Sequence, residues 1–252
     1  MASDVIILIK DVFSLKEYYK ILIDGIAKGL TVTEIVRGLS WIGAELSDGS
    51  FGIAMNTEGS SIERSFPSLV GLDAKKAAEA VMSWNMEEAS EGMAVINAFY
   101  NSEKKMRELN CEAPYDRICT RGYETEGKTF AFIGHLRMPE ETVRGAKQVY
   151  IMERRDIKGD YPDAACEYIL PECDFVLITG SASVNKTMPR LIELSENAKT
   201  ILIGPTVPMC PALIGHGIER LSGMVVKDKE EFKKWMLEAS GNPYPYGYTF
   251  MI

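Results

Sequence analysis

Five short apolar runs in the second half of the chain constrain its fold more than any other feature. They cover residues 129–134, 148–153, 174–179, 200–204 and 224–226. Segments long enough for crossover helices separate them, and this alternation is typical of a parallel sheet with helices on both faces. Right-handed crossovers bring the carboxyl ends of all the strands to one edge, where open α/β sheets bind ligands. The pattern therefore predicts an α/β fold and locates its site.

The first half of the chain has a different pattern, which predicts a small α+β unit. Ser14 and Glu17 have the spacing of a capping box, so we expect a helix from there to about Lys28. Asp73 is expected to cap another helix. The remaining predicted strands cover 34–39, 41–46 and 51–55, and an Asp48-Gly49 hairpin turn leads into the last of them. The helix that Asp73 caps is expected to run through residue 82, and one long or broken helix is expected over 86–109.

A domain boundary is expected where these two patterns meet. Residues 111–128 are rich in Gly, Pro, Asp and Glu and have no sustained period. We therefore divide the chain into an α+β domain over residues 1–110 and an α/β domain over residues 111–252.

Composition and charge exclude several functional classes. With 252 residues, of which 46% are hydrophobic, the chain can bury a sizeable core. Its net charge of −8 gives no general attraction to nucleic acid or to an anionic membrane. The apolar run at residues 5–9 is too short to span a membrane and lacks a basic leader, so we expect a cytoplasmic protein. The five cysteines, an odd number, are expected to be buried thiols rather than disulfides.

The residues that follow the predicted strands form the candidate site. Glu153 occupies a position where a carboxylate often accepts ribose hydroxyls, although an ion pair with Arg154 or Arg155 remains the alternative. His135 is either an acid, base or metal ligand, or a structural residue. The strand exits together contribute Gly134, His135, Glu153, Thr179, Gly180, Ser181, Gly204, Pro205 and Thr206.

The sequence matches two nucleotide-binding motifs only in part. The loop that begins at Gly134 lacks the later glycines of GxGxxG, so tight dinucleotide binding is disfavoured. Residues 180–187 match GxxxxGK[ST] except that Asn185 replaces the second glycine, and Asn is a residue that tolerates a left-handed backbone. Anion binding at this loop is one interpretation. The other is that Asn185 and Thr187 cap the helix expected from about Lys186.

Two further segments have open interpretations. Cys210, in Met209-Cys210-Pro211, is either a soft metal ligand or part of an apolar helix start. The tyrosine-rich tail at residues 244–248 either stacks on a planar ligand or packs, within one subunit or across a homo-oligomer interface.

These motifs together carry a resemblance to a known family. Thr179-Gly180-Ser181, Asn185-Lys186-Thr187 and Gly204-Pro205-Thr206, with the sequences at 134–135, 153–154, 170–174 and 223–226, resemble the "putative heavy-metal chelation" family from about Lys128 to the end. The region around Gly38-Leu39-Ser40-Trp41 and the hairpin at 48–49 is similar to the enolase N-terminal-like domain that precedes it in that family. The resemblance implies a Rossmann-like domain, a small α+β domain and a ligand crevice between them.

The leading functional hypothesis is a crevice that binds a small polar or heterocyclic metabolite. Its hydrogen-bonding groups would come from Thr179, Ser181, Asn185, Thr187 and Glu153, and close backbone approach from Gly134, Gly180 and Gly204. If the protein is an enzyme, His135 and Glu153 are the available proton-transfer pair. The alternatives are a divalent-metal protein that uses His135, Glu153 and Cys210, and anion or nucleotide binding at residues 180–187.

Overall fold

A three-stranded antiparallel sheet forms in the first part of the chain. The computed structural model describes residues 15–57, 62–111, 117–238 and 241–252. Its first strands, in spatial order, are β1 (Val32–Arg37), β2 (Trp41–Leu46) and β3 (Phe51–Met55). Gly49 has a φ of +82° in the β2–β3 turn, where the Asp48 carboxylate accepts the Ser50 N–H. The predicted hairpin is confirmed.

One helix packs against this sheet, and three shorter helices complete the first part of the chain. They are α1 (Leu15–Asp24), α2 (Ala74–Ala78), α3 (Met86–Tyr100) and α4 (Glu103–Glu108). The helix that packs against the sheet is α3, and Gly52 permits its approach, because a Cβ at Gly52 would lie 1.9 Å from the Ala98 nitrogen. Asp73 caps α2 as predicted. The first helix ends four residues before the expected Lys28, and Ser14 of the predicted capping box lies outside the described residues.

A mostly parallel seven-stranded sheet dominates the second part. Its spatial order is β10-β9-β8-β7-β4-β5-β6, and only β10 runs antiparallel to its neighbour. The strands are β4 (Thr129–Ile133), β5 (Gln148–Glu153), β6 (Tyr161–Pro162), β7 (Phe175–Thr179), β8 (Lys199–Ile203), β9 (Arg220–Val226) and β10 (Gly247–Met251). The five predicted strands are confirmed. The sequence prediction missed β6, which has two residues, and β10 in the tyrosine-rich tail.

The connections between these strands are shorter than full crossover helices in several places. The α-helices here are α5 (Cys166–Ile169), α6 (Ser181–Val184), α7 (Met188–Leu194) and α8 (Lys229–Glu238). The β4–β5 and β8–β9 connections instead contain single 3₁₀ turns at Glu140–Val143 and Pro211–Leu213.

Alternating side chains of the parallel strands enter two different apolar clusters. Phe130, Phe132 and Leu177 lie in a cluster on one face, which the segment around Cys119 helps to cover. Ala131 and Ile178 point to the other face and belong to the largest cluster of the molecule. Both faces are therefore buried, which explains why these strands are continuous apolar runs.

The largest apolar cluster extends across the predicted domain boundary. It includes Tyr18 and Met93 from the first part of the chain and Val176 and Val184 from the second. Tyr18 is hydrogen-bonded to the Ser183 hydroxyl at 2.7 Å, and the Tyr19 hydroxyl donates to the Ser183 carbonyl. The small sheet and its helices are thus packed directly onto the large sheet.

Candidate functional site

The residues predicted from the strand exits do lie at one edge of the large sheet. Strands β5, β4, β7 and β8 are parallel neighbours, so their carboxyl ends face the same side. Glu153 ends β5, Gly134 and His135 follow β4, and Thr179 ends β7. We refer to the exits of these four strands as the carboxyl edge.

The most distinctive pair at the carboxyl edge is His135 with Asp160. The His135 Nδ1 atom is 2.7 Å from Asp160 Oδ2, and the Asp160 side chain is 7% exposed while the His135 side chain is 40% exposed. A carboxylate on one ring nitrogen fixes the imidazole orientation and directs the other nitrogen, Nε2, elsewhere. The sequence prediction missed Asp160, because it lies in a loop 25 residues away and belongs to no motif.

Glu153 supports the loops of the carboxyl edge. Its Oε1 accepts the backbone N–H groups of Arg154 and Arg155 at 2.9 and 3.1 Å, and its Oε2 accepts the His135 N–H at 2.9 Å. Partial burial raises the pKa of the Glu153 carboxyl, but these hydrogen bonds outweigh it and hold the pKa below its ordinary value. Glu153 Oε1 also lies 3.4 Å from Arg155 Nε, which is the ion-pair alternative left open by the sequence. Because the carboxylate is engaged by these donors, neither the ribose interpretation nor a proton-transfer role fits it.

Small residues bring the exits of β4 and β7 close together. Gly134 has a φ of +97°, and a Cβ there would lie 3.1 Å from the Thr179 methyl group. The Thr179 and Ser181 hydroxyl oxygens are 3.2 Å apart, and both residues are partly exposed. These two hydroxyls are therefore available near the backbone of the His135 loop.

Gly180 has a packing role rather than a ligand-binding one. A Cβ there would lie 2.5 Å from the Val207 nitrogen and 2.6 Å from the Thr206 carbonyl carbon. The close approach predicted for Gly180 is real, but the partner is the β8 exit loop of the protein itself.

Residues 180–187 do not form a phosphate-binding loop, so that interpretation is wrong. The segment is already helical as α6, and the N–H groups of Ser183, Asn185 and Thr187 donate to the carbonyls of Gly180, Ser181 and Ala182, respectively. A P-loop needs such N–H groups free to contact phosphate.

The left-handed residue of this segment is Lys186, not Asn185. Lys186 has a φ of +71°, whereas Asn185 has a φ of −82°. The bond from the Thr187 N–H to the Ala182 carbonyl is the six-residue closure of a Schellman motif, which ends α6. The Asn185 side chain accepts from the Thr187 N–H and hydroxyl, which forms a turn just before α7. Thr187 occupies the N-cap position of α7, but its side chain makes no capping hydrogen bond, so the predicted side-chain cap is not formed.

Lys186 directs its amine back into the protein. Its Nζ donates to the Val184 carbonyl at 2.7 Å and lies 5.7 Å from the centre of the Tyr19 ring. Burial lowers the pKa of the Lys186 amine to about 8. The sequence analysis treats Lys186 only as the lysine of the incomplete GxxxxGK[ST] motif, a role that its contacts do not match.

Thr206 connects the two sheets and is not available to a ligand. It is buried, and its hydroxyl oxygen accepts the Met55 N–H at 3.0 Å. Asn97 of α3 donates to both the Ile53 and Thr206 carbonyls, at 2.7 and 3.0 Å. Asn101, one turn further, donates to the Val207 carbonyl and accepts the Met209 N–H. The crevice predicted between the domains is therefore filled by protein contacts at the β8 exit.

The candidate metal ligands do not form a metal centre. Cys210 is buried, and burial raises the pKa of its thiol. No cluster of three or more His, Cys, Asp or Glu side chains suited to a metal ion occurs among the described residues. His135 with Asp160 supplies one oriented imidazole, which is fewer ligands than a transition-metal site uses. All five cysteines are free thiols, and four of them are buried as predicted, whereas Cys111 is partly exposed.

A separate surface cavity of about 400 Å³ lies at the opposite edge of the sheet. Its lining includes Lys128, Asp174, Lys199 and Glu219 near the amino ends of the strands. Lys128 pairs with Asp174 at 3.0 Å and Lys199 with Glu219 at 3.1 Å. Both lysines are thus engaged by carboxylates, and Glu124 and Glu196 add further acidic groups to the lining. Because the carboxyl edge is where such sheets bind ligands, we do not assign a site here.

The fold places the protein in the class of α/β proteins with a mostly parallel seven-stranded sheet flanked by helices and a small antiparallel sheet. Two family models match it, both described as "Putative heavy-metal chelation": DUF364 over residues 122–249 and DUF4213 over residues 19–100. The chain belongs to the DUF364 family. No described helix is long and apolar enough to cross a membrane.

Two solved structures agree with this assignment, and a curated relative is also similar to the chain. A DUF364-family protein of unknown function from Desulfitobacterium hafniense is 35% identical, with a TM-score of 0.84 over 94% of this chain and 97% of that chain. A Pyrococcus horikoshii member is 25% identical, with a TM-score of 0.73 and the same coverage. An uncharacterized protein of Methanocaldococcus jannaschii is 27% identical over 171 residues, which is 64% of this chain and 63% of that protein's length.

Proposed function

We propose that the carboxyl edge around His135 binds a small polar molecule. The observation that carries the proposal is the 2.7 Å contact between His135 Nδ1 and Asp160 Oδ2. It holds a partly exposed imidazole in one orientation, and Nε2 has no hydrogen-bond partner among the described residues. Such a nitrogen accepts a hydrogen bond or a proton from a bound molecule.

The surrounding groups favour a polar ligand of modest size. Glu153 fixes the backbone at His135 through its 2.9 Å hydrogen bond, and Gly134 lets that loop turn sharply. Thr179 and Ser181 contribute hydroxyls from the neighbouring strand exit. Because Gly180 and Thr206 are engaged in packing, the proposed site contains fewer residues than the site predicted from the sequence. It is centred on the exits of β5, β4 and β7.

Metal binding is the second candidate, and two observations favour it. The family models carry a heavy-metal description, and a histidine backed by a carboxylate is the usual arrangement of a metal-ligating imidazole. The described residues provide no complete set of metal ligands. In this alternative a bound small molecule would therefore supply the remaining ligands of the metal.

The two histidines of the chain make a direct test feasible. Nitrogen-15 NMR of the imidazoles yields signals from His135 and His216 only, and His216→Gln assigns them. We expect the neutral His135 ring to carry its proton on Nδ1, and Asp160→Asn to weaken that preference. A ring protonated on Nε2 in the wild-type protein would contradict the proposed geometry.

The same spectra separate the two candidates. Addition of nucleotides, pterins or corrinoid precursors without metal is expected to shift the His135 Nε2 signal if a metabolite binds, whereas addition of Zn²⁺ or Ni²⁺ alone shifts it if metal binding is primary. His135→Gln removes the response in either case, and His216→Gln keeps it. No His135 response to any of these additions would remove both candidates.

A further inference from the structure

We infer that the ligand of the carboxyl edge carries an oxyanion group, a carboxylate or a phosphate, and that Arg117 binds it. This inference rests on the proposed function, because it names the chemical class of the molecule bound beside His135. Nothing in the sequence motifs points to Arg117, which precedes the first strand of the large sheet by twelve residues.

The Arg117 backbone is held in an unusual conformation. Its φ is +67°, in the left-handed region that residues with a Cβ rarely adopt. It occupies no helix or strand, and the chain continues from it into the segment that covers one face of the large sheet. Strained backbone of this kind concentrates where a protein must aim a side chain.

The Arg117 guanidinium is fixed by two contacts, one of which is with the loop that follows β4 at the carboxyl edge. It lies 3.9 Å from the centre of the Tyr244 ring, and its Nη2 donates to the Arg137 carbonyl at 2.8 Å. Arg137 follows His135 by two residues in the β4 exit loop. Tyr244 shortly precedes Gly247, which pairs with Val226 at the carboxyl end of β9. The cation is therefore positioned over the same edge as His135.

One donor of this fixed guanidinium has nothing to bind. The Arg117 Nε is buried and has no hydrogen-bond partner, and the described residues provide no carboxylate for an ion pair with Arg117. A buried N–H of a cation without an acceptor is costly, and each such group in a native structure calls for an explanation. An acceptor brought by a ligand supplies one.

An oxyanion is the acceptor that matches this donor. Guanidinium presents N–H groups in a planar fork that fits carboxylate and phosphate oxygens, and stacking on an aromatic ring keeps the fork oriented. The chain has a net charge of −8, so anion binding requires a local cation, and Arg117 is partly exposed although its Nε is buried. Arg117 contacts the Arg137 carbonyl in the loop that carries His135, two residues further along the chain.

The test uses inorganic phosphate and acetate as probes, each compared with chloride at equal ionic strength. Titration calorimetry is performed on the wild-type protein, Arg117→Gln and Arg117→Lys, with Arg144→Gln as the control, because Arg144 is exposed and weakly paired with Glu141 at 3.8 Å. We expect at least one probe to bind about tenfold more weakly to both Arg117 variants and unchanged to the control. The stronger probe identifies the anion class.

A second measurement keeps the inference testable if the Arg117 variants fold poorly. Arginine Nε–H signals are recorded for the wild-type protein, and the signal absent from Arg117→Lys, or otherwise assigned through the neighbouring backbone, belongs to Arg117. We expect phosphate or acetate, but not chloride, to shift it.

Two results would overturn the inference. One is an Arg117 signal that does not respond to either probe. The other is a His135 response to its ligand that is as strong in folded Arg117→Gln as in the wild-type protein, which would leave the proposed function intact while excluding Arg117 from it.

Discussion

Replacement of Glu153 with glutamine should loosen the carboxyl edge without removing any apolar packing. The carboxylate accepts three backbone N–H groups, from His135, Arg154 and Arg155, at 2.9 to 3.1 Å. Glutamine keeps one acceptor oxygen and turns an amide donor toward the N–H group on the other side. Either the loop after β4 or the loop after β5 therefore loses its hydrogen bonds to this side chain.

The expected loss follows from the strength of these hydrogen bonds. A hydrogen bond to a charged group contributes about 1.5–3 kcal/mol, and Glu153→Gln removes at least one and weakens the others. The backbone N–H groups that lose the carboxylate can hydrogen-bond to water instead, which limits the loss. We therefore expect the free energy of unfolding to fall by about 2 kcal/mol at neutral pH. Urea denaturation measures it, with Glu141→Gln as the control because its exposed carboxyl should change stability by less than about 0.5 kcal/mol.

The pH dependence of this loss has a defined sign. The pKa of Glu153 is lowered by folding, so its contribution is fully present above the unfolded pKa of about 4.3 and disappears as the pH falls through the lower, folded pKa. The stability difference between the wild-type protein and Glu153→Gln should therefore shrink in acid. A difference below about 0.5 kcal/mol at pH 7, or one that is the same at pH 3, would refute the structural role of this carboxylate.

Three further changes test other parts of the structure by urea denaturation. Gly180→Ala places a Cβ 2.5 Å from the Val207 nitrogen and should destabilise by about 3 kcal/mol, whereas Ser181→Ala should cost less than about 1 kcal/mol; equal effects would contradict the packing role. Glu91→Gln removes a fully buried carboxylate shared by Arg37 and Arg64 and should cost about 3 kcal/mol, against less than about 1 kcal/mol for the half-exposed Glu87→Gln in the same network. Lys186→Gly should stabilise by about 0.5 kcal/mol because Lys186 occupies the left-handed position of a Schellman motif, and a clear loss of stability would instead assign importance to its amine.

The position of the carboxyl edge was predictable because it depends on local pattern and topology. Runs such as 174–179 are apolar on both faces, and only a doubly covered parallel strand needs that composition. The handedness of crossovers then brings Gly134, Glu153 and Thr179 to one side. Short or irregular elements escaped prediction: β6 has two residues, and the strand β10 begins among tyrosines and a proline that indicate a loop.

Local sequence patterns specify the two sheets and the edge at which a ligand is expected. The hydrogen-bond partners of the residues at that edge depend on the folded structure. Asp160 meets His135 across 25 residues, and Asn97 meets Thr206 across 109, while Arg117 meets Tyr244 from a segment without regular structure. Hydrophobic periodicity specifies the face on which a residue lies, whereas the pairing of polar groups depends on distances that exist only after the chain has folded.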